Sequence, residues 1–259
     1  MVEHADEMRA RWEGRHEKKD VLRSDVWSQL EEHGVAVGPV WSRIPNFVGA
    51  DEAASRLAEL PFWQSAKVVK SNPDPPQIPV RLRALQEGKL VYTPVPELVA
   101  EFPFVLLDPD DLKRRGIPFE EAAPSEGAIK HGKKVQFQEM MPLDLVVVGC
   151  VAVTRAGGRT GKGGGFADLE LGIFRELELV GEDTPIVTTV HTIQVVEDDR
   201  LIMVDHDTPL DWIITPDEVI ETKTRYERPQ TMDWDRVQPD QFSNIPFLGD
   251  LRDELSAQS

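Results

Sequence analysis

The 259-residue chain has one cysteine, two tyrosines, no apolar run of membrane-spanning length, and far fewer basic than acidic side chains. Each shortage excludes something. A lone Cys150 makes neither an internal disulfide nor a thiolate zinc cage. Its apolar run, Val146-Val147-Val148-Gly149-Cys150-Val151, marks it as a buried small hydrophobe. Without about 18 consecutive apolar residues, no segment is expected to cross a bilayer. The stretch 1–19 is charged and holds no apolar block of signal-peptide length, so an untargeted cytoplasmic protein is expected. With 29 basic against 46 acidic side chains the net charge is −17, which argues against a duplex nucleic-acid surface but leaves room for a local basic pocket that takes phosphate. His191 and His206 have no third nitrogen or sulfur ligand nearby and read as satisfied histidines, and no Ser, Cys or Thr stands in a nucleophile motif.

What is present is a chain 40% apolar and long enough to bury a sizeable core. Val21, Leu22, Val26, Trp27 and Leu30 recur near helical spacing, and His33-Gly34 ends that first helix. Asp51 is a candidate N-cap for a helix carrying Ala53, Ala54, Leu57 and Leu60. The stretch 71–77 is too rich in proline for regular structure and leads to a helix over 80–87 closed by Gly88. Apolar runs at 67–70, 89–93, 103–107, 144–153, 186–190 and 212–214 read as strands alternating with helices. That pattern predicts an α/β fold of three layers, α/β/α, around a mostly parallel sheet. Thr215-Pro216-Asp217-Glu218 carries a helix-start signal. From Arg225 the periodicity fades, so the expected organisation is a domain over 1–224 and a draped or disordered tail over 225–259.

The densest motif is Gly157-Gly158-Arg159-Thr160-Gly161-Lys162-Gly163-Gly164-Gly165-Phe166-Ala167-Asp168, between the most hydrophobic strand and a helix expected over 169–179. Glycines let backbone amides approach a ligand, and Arg159 and Lys162 add positive charge to an acidic protein, which suits a phosphate cradle. It is not a P-loop, because Gly163 stands where a metal-holding Ser or Thr belongs. It is not the dinucleotide fingerprint either, because Phe166 occupies the third glycine position. A hairpin tip is the plain structural alternative.

With this loop, Lys19-Asp20-Val21-Leu22-Arg23, the stretch before Gly88-Lys89, and Gln194 followed by Asp205-His206-Asp207 through Thr215, the chain resembles the 5-formyltetrahydrofolate cyclo-ligase (methenyltetrahydrofolate synthetase) family. The motifs occur in the family's order over roughly residues 19–215. The resemblance implies a fold of the sugar-isomerase and CoA-transferase type. It also implies an ATP- and Mg²⁺-dependent conversion of 5-formyltetrahydrofolate to 5,10-methenyltetrahydrofolate. Carried over residue by residue, it implies Arg159 and Lys162 as catalytic cations. Lys19, Arg23, Arg159, Gly161, Lys162, Gly163, Gly164 and Gly165 are then expected on the nucleotide, Asp74, Gln77 and Phe166 on the substrate, and Asp168 and Asp207 on Mg²⁺. On spacing alone, Lys19 and Arg23 fit a solvated helix face equally, Asp168 fits an N-cap, and Asp207 fits a turn. Phe166-Ala167 replaces the family's paired tyrosines, so the chain looks like the divergent, cyclo-ligase-like branch. Two alternatives follow: an ATP-dependent ligase for another heterocycle, such as one related to thiamine, and a non-catalytic nucleotide- or RNA-binding module. The expected partner is a small molecule, not duplex nucleic acid or a membrane.

Overall fold

The computed structural model describes residues 12–258, and most of the 1–19 stretch expected to lack a targeting signal lies outside them. The elements are α1 (Glu17–Glu32), α2 (Ala50–Ala58), α3 (Pro61–Ser65), β1 (Val68–Ser71), α4 (Ile78–Gln86), β2 (Leu90–Pro94), β3 (Phe104–Leu107), α5 (Pro109–Arg114), α6 (Phe119–Ala122), α7 (Ser125–His131), β4 (Lys133–Val135) and β5 (Leu145–Val147). They continue as β6 (Ala152–Thr154), β7 (Arg159–Thr160), α8 (Phe166–Glu176), β8 (Ile186–Thr189), β9 (Val195–Val196), β10 (Trp212–Ile214), β11 (Val219–Glu221), α9 (Pro239–Asn244) and α10 (Leu248–Gln258). The main sheet has eight strands in the order β11-β10-β8-β5-β1-β2-β3-β4. From β10 to β2 neighbours are parallel, while β11, β3 and β4 join the edges antiparallel. The mostly parallel sheet expected from the alternation of strands and helices is therefore present.

The period of two along each strand sorts side chains to two faces. Val69, Val91, Leu145 and Val187 meet α2 and α4 through Ala53, Leu57, Val80 and Leu85. Tyr92, Val146 and Ile186 meet α8 through Leu169, Ile173 and Phe174, and α10 through Leu248, Leu251 and Leu255. Burial of each such Leu, Ile or Phe contributes roughly 1.5–3 kcal/mol. α1 packs Leu22, Val26 and Leu30 on Val151 and Ala152 beside a small sheet in the order β7-β6-β9. Cys150 is buried, and burial pushes its thiol up.

Three local expectations are corrected. The single strand over 144–153 is two, β5 and β6, in different sheets, because the chain breaks at Gly149-Cys150. Thr215-Pro216-Asp217-Glu218 starts no helix. The Thr215 hydroxyl accepts from the N–H groups of Asp217 and Glu218 at 3.1 and 2.9 Å, but the next residues pair Val219 with Ile214, closing a hairpin. The capping bonds form, and sheet pairing of a β-branched segment overrides what should follow them. Asp51 lies in the first turn of α2, whose N-cap is Gly49 in the left-handed region at φ 96°. A Cβ at Gly49 would meet the Pro216 ring at 2.5 Å.

Candidate active site

The chain leaves β1 toward β2 on one side of the sheet order and later returns to β5 on the other. Connections that diverge in this way open a crevice at the carboxyl ends of the two strands. Asp74 follows β1 and Gly149 follows β5. A Cβ at Gly149 would stand 3.0 Å from Asp74 Oδ2 and from Ile44, so glycine there admits the carboxylate and accounts for the break between β5 and β6. Gln194 secures the break: its Nε2 donates to the carbonyls of Cys150 and Val151 at 3.0 and 3.1 Å.

The loop carrying Asp74 is shaped by one buried guanidinium. Arg81 donates to the carbonyls of Ala123 (2.7 Å), Pro73 (3.1 Å) and Asn72. Burial lowers its pKa to about 10, against the pull of Asp74. Burial pushes the Asp74 carboxyl above its ordinary 3.8, with Lys162 the foremost charge acting in the opposite sense. Gln77 is fully buried with its Nε2 3.4 Å from Thr189 Oγ1, and its Oε1 has no partner among the described residues. Beneath the loop, Lys70 at the end of β1 is fully buried, 2.5 Å from Glu170 on α8 and 2.5 Å from Asn72 Oδ1.

The glycine cluster divides in two. Gly157 and Gly158 turn the β6–β7 hairpin, whose strands pair Val153 with Arg159, so the hairpin reading holds for this part alone. Gly157 has φ 92°, and a Cβ there would lie 2.6 Å from the Leu210 carbonyl. Gly161 to Gly165 form the loop that enters α8. Arg159 is buried, pairs with Asp168, and donates to the Thr208 carbonyl at 2.7 Å. Burial opposes its charge, but neighbouring carboxylates, Asp168 foremost, hold its pKa above the ordinary value. Lys19 Nζ sits 2.5 Å from Asp207. Arg23 reaches the Gly161 carbonyl at 2.7 Å, Thr160 Oγ1 at 3.0 Å and Asp20 at 2.5 Å, and burial lowers its pKa despite Asp20. Lys19 and Arg23 are thus buried, Arg23 against the loop and Lys19 against Asp207, not spread on a solvated helix face.

Lys162 lies 3.8 Å from Glu97 and is the foremost charge acting on Asp74. Glu97 and Leu98 hold φ values of 58° and 57°, two successive non-glycine residues in the left-handed region, a conformation that costs energy and clusters at functional loops. Phe166 opens α8 and sets its ring edge-on to Trp12 at 5.6 Å. The fold therefore brings Lys19, Arg23, Arg159, Asp168 and Asp207 together on one side of the crevice, and Lys162 of the same loop acts on Asp74 as its foremost opposing charge. Sequence reading missed Lys70, Arg81, Glu97 and Glu170. Lys70 carried a faint signal, a cation within an apolar strand at its carboxyl end; the others look like ordinary helix or loop charges.

Among the described residues no group of three His, Cys, Asp or Glu side chains is arranged to hold a metal. Asp168 and Asp207 nevertheless suit Mg²⁺, which needs only one or two protein carboxylates. Asp168 accepts the Thr208 N–H at 2.9 Å through Oδ1, and Asp207 accepts the Val204 N–H at 2.9 Å through Oδ2. Among the described residues the bonds of each carboxylate converge on that one oxygen, leaving the other without a partner there. A cavity of about 400 Å³ opens beside Asp207 between Met203, Val204, Tyr226 and Pro229.

The model of the 5-formyltetrahydrofolate cyclo-ligase family matches residues 15–216. The chain is 36% identical over 237 residues to a methenyltetrahydrofolate synthase domain-containing protein of Mus musculus, covering 91% of this chain and 63% of that protein. It is 34% identical over 236 residues to the protein of the same name from Homo sapiens, covering 90% and 61%. The chain thus spans less than two thirds of the length of these relatives. Among solved structures, an NMR structure of Aquifex aeolicus 5,10-methenyltetrahydrofolate synthetase superposes with a TM-score of 0.48 and 20% identity, over 83% of this chain and 100% of that one.

Proposed function

The chain belongs to the 5-formyltetrahydrofolate cyclo-ligase family, and from that premise we propose that its crevice binds MgATP and activates a formylated pterin for ring closure. The carrying observation is a set of buried cations beside one glycine loop, with Arg23 on the Gly161 carbonyl, Arg159 on Asp168 and Lys19 on Asp207, while Lys162 of the same loop is the foremost charge acting on Asp74. In the proposed reaction the formyl oxygen of 5-formyltetrahydrofolate takes the γ-phosphoryl group, the neighbouring nitrogen closes the ring, and phosphate leaves with the former formyl oxygen. Such a step asks for alignment and charge stabilisation more than for a protein nucleophile. Lys19, Arg23 and the amides of Gly161, Gly163, Gly164 and Gly165 would hold the phosphates. Arg159 and Lys162 would stabilise charge on the transferred group, and Mg²⁺ on the free oxygens of Asp168 and Asp207 would neutralise phosphate charge. Asp74 and Gln77, the latter through its unpartnered Oε1, would meet donors on the heterocycle, and Phe166 would border it.

Methenyl absorbance after mixing the protein with 5-formyltetrahydrofolate and MgATP tests this reading. Product formation is expected. Absence of product from protein that binds MgATP removes the folate assignment and keeps the nucleotide site. One observation favours a second substrate: Phe166 packs against Trp12, and Ala167 offers no hydroxyl, so the pocket lacks two polar groups that the resemblance leads one to expect. In that case a different heterocycle, and not 5-formyltetrahydrofolate, raises the thermal midpoint further once MgATP is bound.

A further inference from the structure

α9 lies beyond the residues that match the family model, yet it touches the glycine loop directly. Gln241 is buried, and its side-chain Nε2 donates to the Gly164 carbonyl at 3.0 Å while its Oε1 accepts the Gln238 N–H at 2.9 Å, so both ends of the amide are engaged. Its neighbour Asp240 pairs with Arg15 from the other end of the chain. Arg15 in turn donates to the carbonyls of Gly164 at 3.0 Å and Gly163 at 3.3 Å. Two successive peptide carbonyls of the loop are therefore gripped from one side, by a pair of side chains that are themselves tied together through Asp240.

A trans peptide unit points its N–H opposite to its C=O. Fixing the carbonyls of Gly163 and Gly164 toward Arg15 and Gln241 therefore turns the N–H groups of Gly164 and Gly165 the other way. Neither N–H makes a hydrogen bond among the described residues. Gly163 has φ 107°, and its Cβ position is filled by Trp12 at 2.8 Å, so the loop reaches this geometry only as glycine. Glycines are costly to order, and a loop of this composition left to itself samples many orientations.

We infer that Gln241, with the Arg15–Asp240 pair, is a positioning residue that presets the glycine-loop amides for an anionic phosphate ligand. The segment outside the family match thereby completes the site. This rests on the proposed nucleotide reading for its ligand but not for its geometry. The test uses the full chain and two variants, Gln241→Met and Arg15→Met, with Arg15→Lys as the conservative control. MgATP affinity is measured by calorimetry, and the rate of trypsin cleavage after Lys162, inside the loop, is followed by mass spectrometry. Loss of one such hydrogen bond is expected to weaken MgATP binding about five- to tenfold. Both Met variants should also speed cleavage after Lys162, Arg15→Lys should recover part of each effect, and the thermal midpoint without nucleotide should stay close to that of the parent. Unchanged affinity and unchanged cleavage in both Met variants overturn the inference, as does a gain in cleavage that only tracks a lowered thermal midpoint. If the parent chain binds no MgATP, the nucleotide reading fails, and the cleavage rates alone then decide: faster loop cleavage at unchanged midpoint upholds the positioning role, and equal rates reject it.

Discussion

The two walls of the crevice handle buried charge differently. On the glycine-loop wall every buried cation has a carboxylate: Lys19 with Asp207, Arg23 with Asp20, Arg159 with Asp168. On the β1 wall, Arg81 directs its guanidinium mainly to backbone carbonyls, and Asp74 is left with a raised pKa and no salt bridge of its own among the described residues. The first wall stays charged and ordered before any ligand arrives. The second holds an acid whose ionisation is disfavoured until a cationic or hydrogen-bond-donating group reaches it. The lesson is that pairing preserves charge for an anion, whereas desolvation stores protonation sensitivity. Lys70 and Glu170 join the walls beneath the loop.

Breaking that joint is expected to have the largest effect. Lys70→Met removes the main group that holds down the Glu170 carboxyl, which burial already pushes up, and leaves it unpaired in the core. The change should lower unfolding free energy in urea by about 3–5 kcal/mol, while Lys70→Met with Glu170→Leu should recover most of it. Next, Lys162→Met, on the boundary between the walls, should reduce kcat for methenyl formation about 100-fold, as loss of one preorganised charge-stabilising group does. Its stability in urea should change little, because Lys162 is only loosely paired with Glu97 at 3.8 Å. Arg81→Lys keeps the charge but not the planar fork and should cost about 2 kcal/mol of stability. It should raise KM for the formylated substrate and leave MgATP affinity unchanged, since the loop it shapes belongs to the β1 wall.

The smallest effect is a pH dependence. The folded-state pKa of Asp74 lies above its ordinary 3.8, so the native state holds this proton more tightly than the unfolded chain does. Its contribution to stability is complete below 3.8 and is lost as pH rises through the raised value. Relative to Asp74→Asn, the parent protein should lose stability across that rise and run parallel above it in urea titrations. A flat difference over the same range would mean that Asp74 is not desolvated.

Much of the fold was legible because it is written in short-range pattern. The apolar alternation of Val69, Val91 and Leu145 against Lys70, Tyr92 and Val146 places one face on α2 and α4 and the other on α8. The glycine loop and the order of the motifs likewise lie in plain sequence. The cap signal at Thr215 misled for a physical reason: its hydrogen bonds serve a hairpin turn as well as a helix start, and the choice falls to pairing with β10. Ile245, Leu248, Leu251 and Leu255, in the stretch where periodicity fades, pack into the main core through α9 and α10, short helices that isolated propensity would not stabilise.

By itself the sequence determined the strand and helix alternation, the two apolar faces, the burial of Cys150 and the presence of cations within a glycine-rich segment, because each depends on residues a few positions apart. Only the tertiary structure decided which charge meets which. Lys19 and Asp207 are 188 residues apart, Arg23 and the Gly161 carbonyl 138, and Gln241 and the Gly164 carbonyl 77. Those meetings depend on the sheet order and on where the chain breaks at Gly149, and a side chain buried by folding must find its partner across that distance or lose its charge.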